Sequence, residues 1–64
     1  MPILDVTLLS GRSAETKAEF IREVTAVTVR TLDVKPEAVR VILREVDPGH
    51  FAVAGVTKAA SAKG

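Results

Sequence analysis

The chain has 64 residues, of which 47% are hydrophobic and 27% are charged, with a formal net charge of +1 and no cysteine. This composition excludes a disulfide framework, and the balanced charge argues against the concentrated basic surface that drives nucleic-acid binding. The chain has no leader-like start and no apolar run near the roughly 18 residues that span a bilayer, so we expect a cytoplasmic protein without nucleic-acid or membrane partners.

The first predicted element is a strand over residues 3–9. The segment is short, aliphatic and rich in β-branched residues, and it ends at the turn-forming pair Ser10 and Gly11. Side chains alternate between the two faces of a strand, and here both faces carry large aliphatic residues. We therefore expect both faces to be covered in the folded protein.

A helix is predicted to begin near Ala14 and to continue to about Leu32, with Ser13 as its N-cap. Apolar residues and threonines at three- and four-residue spacing predict its buried face. This stripe consists of Phe20, Ile21, Val24, Val27, Thr28, Thr31 and Leu32. Charged residues of both signs occupy the other surfaces and indicate a solvated side.

Pro36 disfavours helical geometry in the residue before it, so residues 36–38 are predicted to form one short turn before a second strand over residues 39–46. Strand, helix and strand at this length predict a βαβ unit with parallel strands. A turn over residues 47–50 precedes a shorter apolar run, residues 51–56, which could form a hairpin or an edge strand. The tail, residues 57–64, could be a frayed helical turn or an arm on a neighbouring subunit.

These elements predict one domain over residues 1–64, of the α/β (α+β) class, formed by a single βαβ unit with a C-terminal hairpin. A monomer of this size buries only about 60% of the surface that its unfolded chain exposes. One helix covers only one side of the sheet, and the sequence offers neither disulfides nor a metal-ligand cluster as an added source of stability. We therefore expect an oligomer.

Pro2 is the first candidate catalytic residue. A small residue after the initiator methionine usually permits removal of Met1, which would leave Pro2 with a free secondary amine. Apolar neighbours and nearby guanidinium groups would lower the pKa of that amine towards neutrality. A base with such a pKa can accept a proton and then return it.

Two arginines are candidate anion-binding residues. Arg12 follows the first strand just before the helix, where the helix dipole gives a cation no stabilisation, and Arg40 lies on the second strand. Each could instead be an exposed surface charge. A guanidinium binds a carboxylate through two parallel hydrogen bonds, so separated arginines would suit a dicarboxylate. Phe51 could form an apolar wall or simply pack, and His50 is expected to be exposed.

Five segments together resemble the 4-oxalocrotonate tautomerase family. They are Pro2 and residues 8–13, 21–24, 39–42 and 49–51, and the resemblance extends from Pro2 to about Gly55. It implies an isomerase without a cofactor or metal, in which Pro2 moves a proton between oxygen and carbon. The implied substrates are 2-hydroxymuconate-like dienol dicarboxylates of aromatic catabolism, which become conjugated 2-oxo acids.

The resemblance also implies roles for four further residues. Arg40 would bind the substrate end that carries the 2-hydroxyl and its carboxylate, and Arg12 from a different subunit would hold the distal carboxylate. Phe51 would supply an apolar wall that lowers the pKa of Pro2, and Leu9 would line the site or offer its backbone. The implied assembly is a homohexamer of three dimers, each with a four-stranded sheet made by two subunits.

Two departures from the family pattern stand out. Residues 52–55 replace the glycine-rich hairpin of many members, so a position with positive φ could be lost or moved. Leu9 and Val53 stand where related haloacrylate dehalogenases carry an arginine and a carboxylate, which disfavours hydrolytic dehalogenation.

Alternative functions remain open at the level of sequence. One is a noncatalytic or differently specialised tautomerase-family subunit, in a homo- or hetero-oligomer. A small oligomeric ligand- or DNA-binding protein of the ribbon-helix-helix type is less favoured, because Asp5 on the first strand would repel phosphate.

Overall fold

The computed structural model describes residues 1–61. Its elements in chain order are β1 (Ile3–Leu9), α1 (Ala14–Leu32), a 3-10 turn (Pro36–Ala38), β2 (Arg40–Val46), a second 3-10 turn (Pro48–His50), β3 (Ala52–Val53), β4 (Val56–Thr57) and α2 (Lys58–Ser61). This order confirms the predicted α+β fold with a βαβ unit and a C-terminal hairpin. No helix within the described range combines the length and hydropathy needed to cross a membrane.

β1 and β2 form a parallel pair, as the βαβ interpretation predicts. The register places Ile3 opposite Arg40 and Leu9 opposite Val46. β2 begins one residue later than predicted, because the Val39 N–H donates to the Pro36 carbonyl at 3.1 Å and completes the preceding 3-10 turn. The two strands therefore start and end together, and each end of the sheet brings two chain segments side by side.

The predicted start of α1 is confirmed by its cap. The Ser13 hydroxyl oxygen accepts a hydrogen bond from the Thr16 N–H at 3.1 Å, which satisfies one of the unpaired donors of the first turn. At the other end Asp33 takes a left-handed conformation with φ of 57°, and its N–H bonds to the Val29 carbonyl. This left-handed cap closes the helix before Pro36 is reached.

The buried face of α1 is rotated relative to the predicted stripe. Ile21 and Val24 are half-buried and Thr28 is buried, as predicted, whereas Phe20, Val27, Thr31 and Leu32 are exposed. Positions outside the stripe are half-buried in their place: Lys17, Thr25 and Val29. A two-stranded sheet is narrower than the apolar surface of the helix, so one flank of that surface has no cover within the chain.

The chain by itself has no conventional core. Within residues 1–61 no hydrophobic side chain is fully buried, and Thr28 is the single buried residue. The accessible surface is 4849 Å², against about 4000 Å² for a compact monomer of this mass. The Cα radius of gyration is 14.9 Å, against about 11 Å for a compact chain of this length.

The apolar run after the second 3-10 turn forms a hairpin. β3 and β4 are antiparallel, with Ala52 opposite Thr57 and Val53 opposite Val56, so residues 54–55 form the loop. Ala54 has φ of 54° and Gly55 has φ of 82°. Positive φ at both loop positions is the geometry favoured in two-residue hairpin loops. The hairpin therefore retains the positive-φ conformation expected of a glycine-rich loop, although Ala54 occupies one of its two positions.

Of the two alternatives for the tail, the structure shows the helical turn, as α2, over Lys58–Ser61, whereas Thr57 belongs to β4 and not to the tail. Residues 62–64 of that predicted segment lie outside the described residues.

Candidate active site

The amino end of the sheet holds Pro2 beside Arg40. The Arg40 N–H donates to the Pro2 carbonyl at 3.0 Å, which extends the β1–β2 ladder by one residue beyond β1. Pro2 is half-buried, and Met1, which precedes it here, is 76% exposed. With Met1 attached, the Pro2 nitrogen is an amide nitrogen without basic character. Removal of Met1 would expose an amine whose position is fixed by the sheet.

Arg40 carries an uncompensated positive charge at this end. Its Nη1 donates to the Glu37 carbonyl at 2.6 Å, a contact that orients the guanidinium without neutralising it. Among residues 1–61 no carboxylate lies within ion-pair distance of either Arg40 or Arg12. Both guanidinium groups can therefore bind an anion without first breaking a salt bridge.

The carboxyl end of the sheet collects Leu9, Arg12 and Phe51. The Arg12 Nη1 donates to the Leu9 carbonyl at 3.4 Å, so the guanidinium folds back over the end of β1. Leu9 and Phe51 line one cavity of about 170 Å³, together with Thr7, Leu8 and Val46. Apolar side chains dominate this cavity, as they do in most ligand pockets. Arg12 lines a second cavity of about 270 Å³ between β1 and α1, and its hydrogen bond to the Leu9 carbonyl connects it to the first.

Local turns fix the position of Phe51. The Asp47 carboxylate accepts a hydrogen bond from the Gly49 N–H at 2.7 Å, which holds the 3-10 turn that ends β2. The Lys58 N–H donates to the Phe51 carbonyl at 2.7 Å, which ties the start of α2 to the same residue. Phe51 nevertheless remains 45% exposed, and its ring is therefore available to a neighbouring molecule.

An ion pair that the sequence analysis did not identify anchors the Arg12 loop. Gly11 has φ of 127°, a conformation that favours glycine, as the chain leaves β1. The Lys17 Nζ then lies 2.9 Å from the Glu45 Oε2, which joins the start of α1 to the end of β2. Because the loop that carries Arg12 lies between β1 and α1, this pair restricts its movement. Only the strand register reveals that residues so far apart in sequence meet.

The five predicted site residues thus fall into two groups. Pro2 and Arg40 lie at the amino end of the sheet, and Leu9, Arg12 and Phe51 lie at its carboxyl end. β1 separates the groups, and its length at about 3.3 Å per residue is about 20 Å. One small ligand cannot contact both groups of a single chain. If all five residues share a site, the groups come from different copies of the chain.

His50 ends the second 3-10 turn and is exposed, as predicted. The described part of the chain contains no group of three or more His, Asp and Glu side chains arranged to hold a metal ion.

A family model described as "Tautomerase enzyme" matches residues 2–61. A curated relative, "Probable tautomerase RSp0893" of Ralstonia nicotianae, is 48% identical over 61 residues, which cover 95% of this chain and 87% of that protein. "Probable tautomerase SAR1376" of Staphylococcus aureus is 41% identical over 58 residues, or 91% of this chain and 95% of the relative.

Solved structures with the same fold support this similarity. One, from work on 4-oxalocrotonate tautomerase isozymes of Methylibium petroleiphilum, has a TM-score of 0.86 and 45% identity and covers 91% of each chain. Another, from a heterohexamer 4-oxalocrotonate tautomerase of Chloroflexus aurantiacus, has a TM-score of 0.86 and 42% identity, with 92% of this chain and 95% of that chain covered.

Proposed function

This chain belongs to the tautomerase family, and from that premise we propose that it converts a 2-hydroxymuconate-like dienol dicarboxylate to its conjugated 2-oxo form. Pro2, freed of Met1, is the general acid and base. The observation that carries this proposal is the hydrogen bond between the Arg40 N–H and the Pro2 carbonyl, which holds a potential amine beside an arginine with no ion-pair partner among the described residues.

The proposed reaction is an internal proton transfer. The neutral Pro2 amine accepts the proton of the 2-hydroxyl group, the electron pairs of the diene shift along the conjugated chain, and the 2-oxo group forms. The protonated amine then delivers the proton to a carbon of the same chain. Atoms and charge balance without a redox partner, so this step requires no cofactor or metal. A base with a pKa near the working pH performs both transfers efficiently.

Arg40 acts in this proposal at the end where negative charge develops. Its guanidinium binds the 2-oxygen and the adjacent carboxylate, and it stabilises the oxygen as the proton leaves. The contact between Arg40 Nη1 and the Glu37 carbonyl at 2.6 Å supports this role, because it orients the group before substrate arrives. The same positive charge disfavours protonation of the nearby Pro2 amine and lowers its pKa.

The second group of residues is proposed to come from another subunit. Arg12 of that subunit holds the distal carboxylate, while Phe51 and Leu9 form an apolar wall around the conjugated chain and the Pro2 amine. This wall lowers the pKa of the amine further, because loss of solvation disfavours its charged form. The arrangement is supported by the separation of the two groups by the length of β1.

We propose that the working assembly is a homohexamer of three dimers, in which two βαβ units form a four-stranded sheet. Two features support self-association: the accessible surface of the isolated chain is 4849 Å², well above that of a compact monomer, and the site is incomplete within one chain. The neighbour from Chloroflexus aurantiacus is described as a heterohexamer. Because one chain here carries both groups of site residues, identical copies suffice.

The reaction is tested by ultraviolet assay of 2-hydroxymuconate ketonisation, after intact mass has established that Met1 is absent. We expect Pro2→Ala to lose the large majority of kcat, since a primary amine in a less constrained residue is a poorer replacement for the base. Glu23→Gln, which alters an exposed polar residue of α1, is the control and should retain activity. Equal rates for wild type and Pro2→Ala would reject Pro2 as the base.

A further inference from the structure

One face of the β1–β2 sheet is largely uncovered by the described residues, with Phe51 lying only beside its carboxyl end. The helix lies over the side that carries the half-buried residues Leu4, Val6, Leu8, Val41 and Leu43. The opposite side, here called the open face, consists of Ile3, Asp5, Thr7 and Leu9 from β1 and Arg40, Ile42, Arg44 and Val46 from β2. Ile3 is 62% exposed and Ile42 is 41% exposed, so the open face presents large apolar side chains to solvent.

A two-point ion pair lies at the centre of the open face. The Arg44 Nε donates to the Asp5 Oδ1 at 2.8 Å, and the Arg44 Nη2 donates to the Asp5 Oδ2 at 3.1 Å. The two residues are diagonal neighbours across the strands, since Asp5 lies opposite Ile42. The hydrogen bonds and the charge of Asp5 raise the pKa of Arg44. The charges of Asp5 and Arg44 are therefore matched by each other, and Arg40 at the amino end is the one charged residue of the open face without an ion-pair partner among the described residues.

We infer that the Asp5–Arg44 pair is a selectivity element on a self-association surface. A second copy of this chain covers the open face when both members of the pair are present. A subunit in which one of the two charges has been replaced is excluded from the assembly. The inference rests on the self-association proposed above, although it does not depend on the reaction.

The amount of exposed surface fits a second copy as the occupant. The accessible surface of the whole chain exceeds that of a compact monomer by roughly 850 Å², which is close to the share that one partner buries in a standard protein interface, and Ile3 and Ile42 of the open face are among its exposed large apolar residues. A nucleic acid would need several unpaired cations along the face, but Arg44 is already occupied by Asp5, which leaves Arg40 alone without an ion-pair partner among the described residues. The exposed Ile3 and Ile42 beside the mutually neutralised Asp5 and Arg44 suit a partner with the same composition.

The selectivity follows from the cost of an unpaired charge in a covered interface. A matched, hydrogen-bonded pair can be covered at little net cost relative to apolar residues, whereas removal of one partner leaves a charge with neither water nor a counter-ion. The expected penalty for one unpaired charge is about 100-fold or more in the dissociation constant. In a pair that stays exposed to water, the same change costs less than about fivefold. The two cases are therefore distinguishable.

The test measures the dissociation constant of the assembled protein by sedimentation during dilution, without substrate. Asp5→Asn and Arg44→Gln each break the pair, and Asp5→Val with Arg44→Val replaces both members with residues that favour strands. The matched control is the pair between Glu19 and Arg22 on the exposed surface of α1, where the hydrogen bond from Arg22 lowers the pKa of Glu19. Glu19→Gln and Arg22→Gln break that control pair, and circular dichroism of α1 verifies the fold of every variant.

We expect each single change on the open face to raise the dissociation constant about 100-fold or more, and about 1 M NaCl should not remove the effect, because salt screens covered pairs little. The double valine variant should assemble at least as tightly as wild type. After joint refolding of wild type with Arg44→Gln, native mass spectrometry should find mixed oligomers depleted relative to a random distribution.

Four results would overturn the inference: a wild-type chain that stays monomeric, single variants no weaker in assembly than the α1 controls, a double variant as weak as the singles, or random mixing of wild type with Arg44→Gln. A wild-type protein that assembles as described but does not isomerise the substrate would reject the proposed reaction and leave this inference intact.

Discussion

Pro2 and Arg12 lie beyond opposite ends of the same strand, separated by about 20 Å along β1. Pro2 is tied to Arg40 by a hydrogen bond of 3.0 Å, and Arg12 is tied to Leu9 by one of 3.4 Å. Each residue is thus fixed relative to its own end of the sheet. A site that uses both residues on one small substrate requires two copies of the chain.

The two arginines are predicted to have different kinetic effects. Arg40→Ala removes stabilisation of charge that develops on the oxygen and should lower mainly kcat, whereas Arg12→Ala removes a carboxylate contact and should raise mainly KM. Each loss of a charge-assisted contact is expected to cost about 1.5–3 kcal/mol in kcat/KM. Steady-state kinetics measure both effects. Arg30→Ala, in the last turn of α1, is the control, and unchanged kinetics in Arg12→Ala or Arg40→Ala would remove that residue from the site.

The Lys17–Glu45 pair is predicted to position Arg12. Glu45→Gln weakens the 2.9 Å contact and should raise KM several-fold while kcat stays constant, because the loop that carries Arg12 becomes more mobile. Stability should fall by less than about 1 kcal/mol, since the pair is partly exposed. Glu23→Gln on the exposed side of α1 is the matched control. A fall in kcat with constant KM would contradict the positioning role.

The hairpin loop is predicted to store strain at Ala54. Its φ of 54° costs an alanine about 1 kcal/mol, so Ala54→Asn, which creates the Asn-Gly pair favoured in such loops, should raise the urea midpoint. Gly55→Ala should lower it. A Cβ at Gly55 would meet no atom within 4 Å, so the loss would come from the backbone conformation alone. Unchanged midpoints in both variants would show that the loop does not limit stability.

Local sequence patterns predicted the elements of the fold well. The Ser13 cap, the strand before it and the short turn at Pro36 each depend on a few neighbouring residues, and all were predicted correctly. The buried face of α1 was predicted less well. A stripe of apolar residues predicts which side of a helix is buried, but it does not distinguish burial within the chain from burial against a second chain. Phe20 and Val27 belong to the stripe and remain exposed in the single chain.

The candidate site was predictable as a set of residue types and as a family resemblance, but its geometry was not. The adjacency of Pro2 and Arg40 depends on the register between two strands with a helix between them. The ion pairs of Glu45 with Lys17 and of Asp5 with Arg44 depend on the same register. The packing of the whole βαβ unit determines the register of its parallel strands. A local sequence pattern therefore does not predict that register.

The measurement that tests the division of the site between chains most directly is kcat/KM after joint refolding of two variants that are each impaired in a different residue of the site. Pro2→Ala retains Arg12, and Arg12→Ala retains Pro2, so mixed oligomers contain some sites with both native residues. Random equimolar mixing should restore about one quarter of wild-type kcat/KM, since each site draws Pro2 and Arg12 independently from two chains. Activity no greater than that of the separate variants, in oligomers shown by mass to be mixed, would contradict a site shared between subunits.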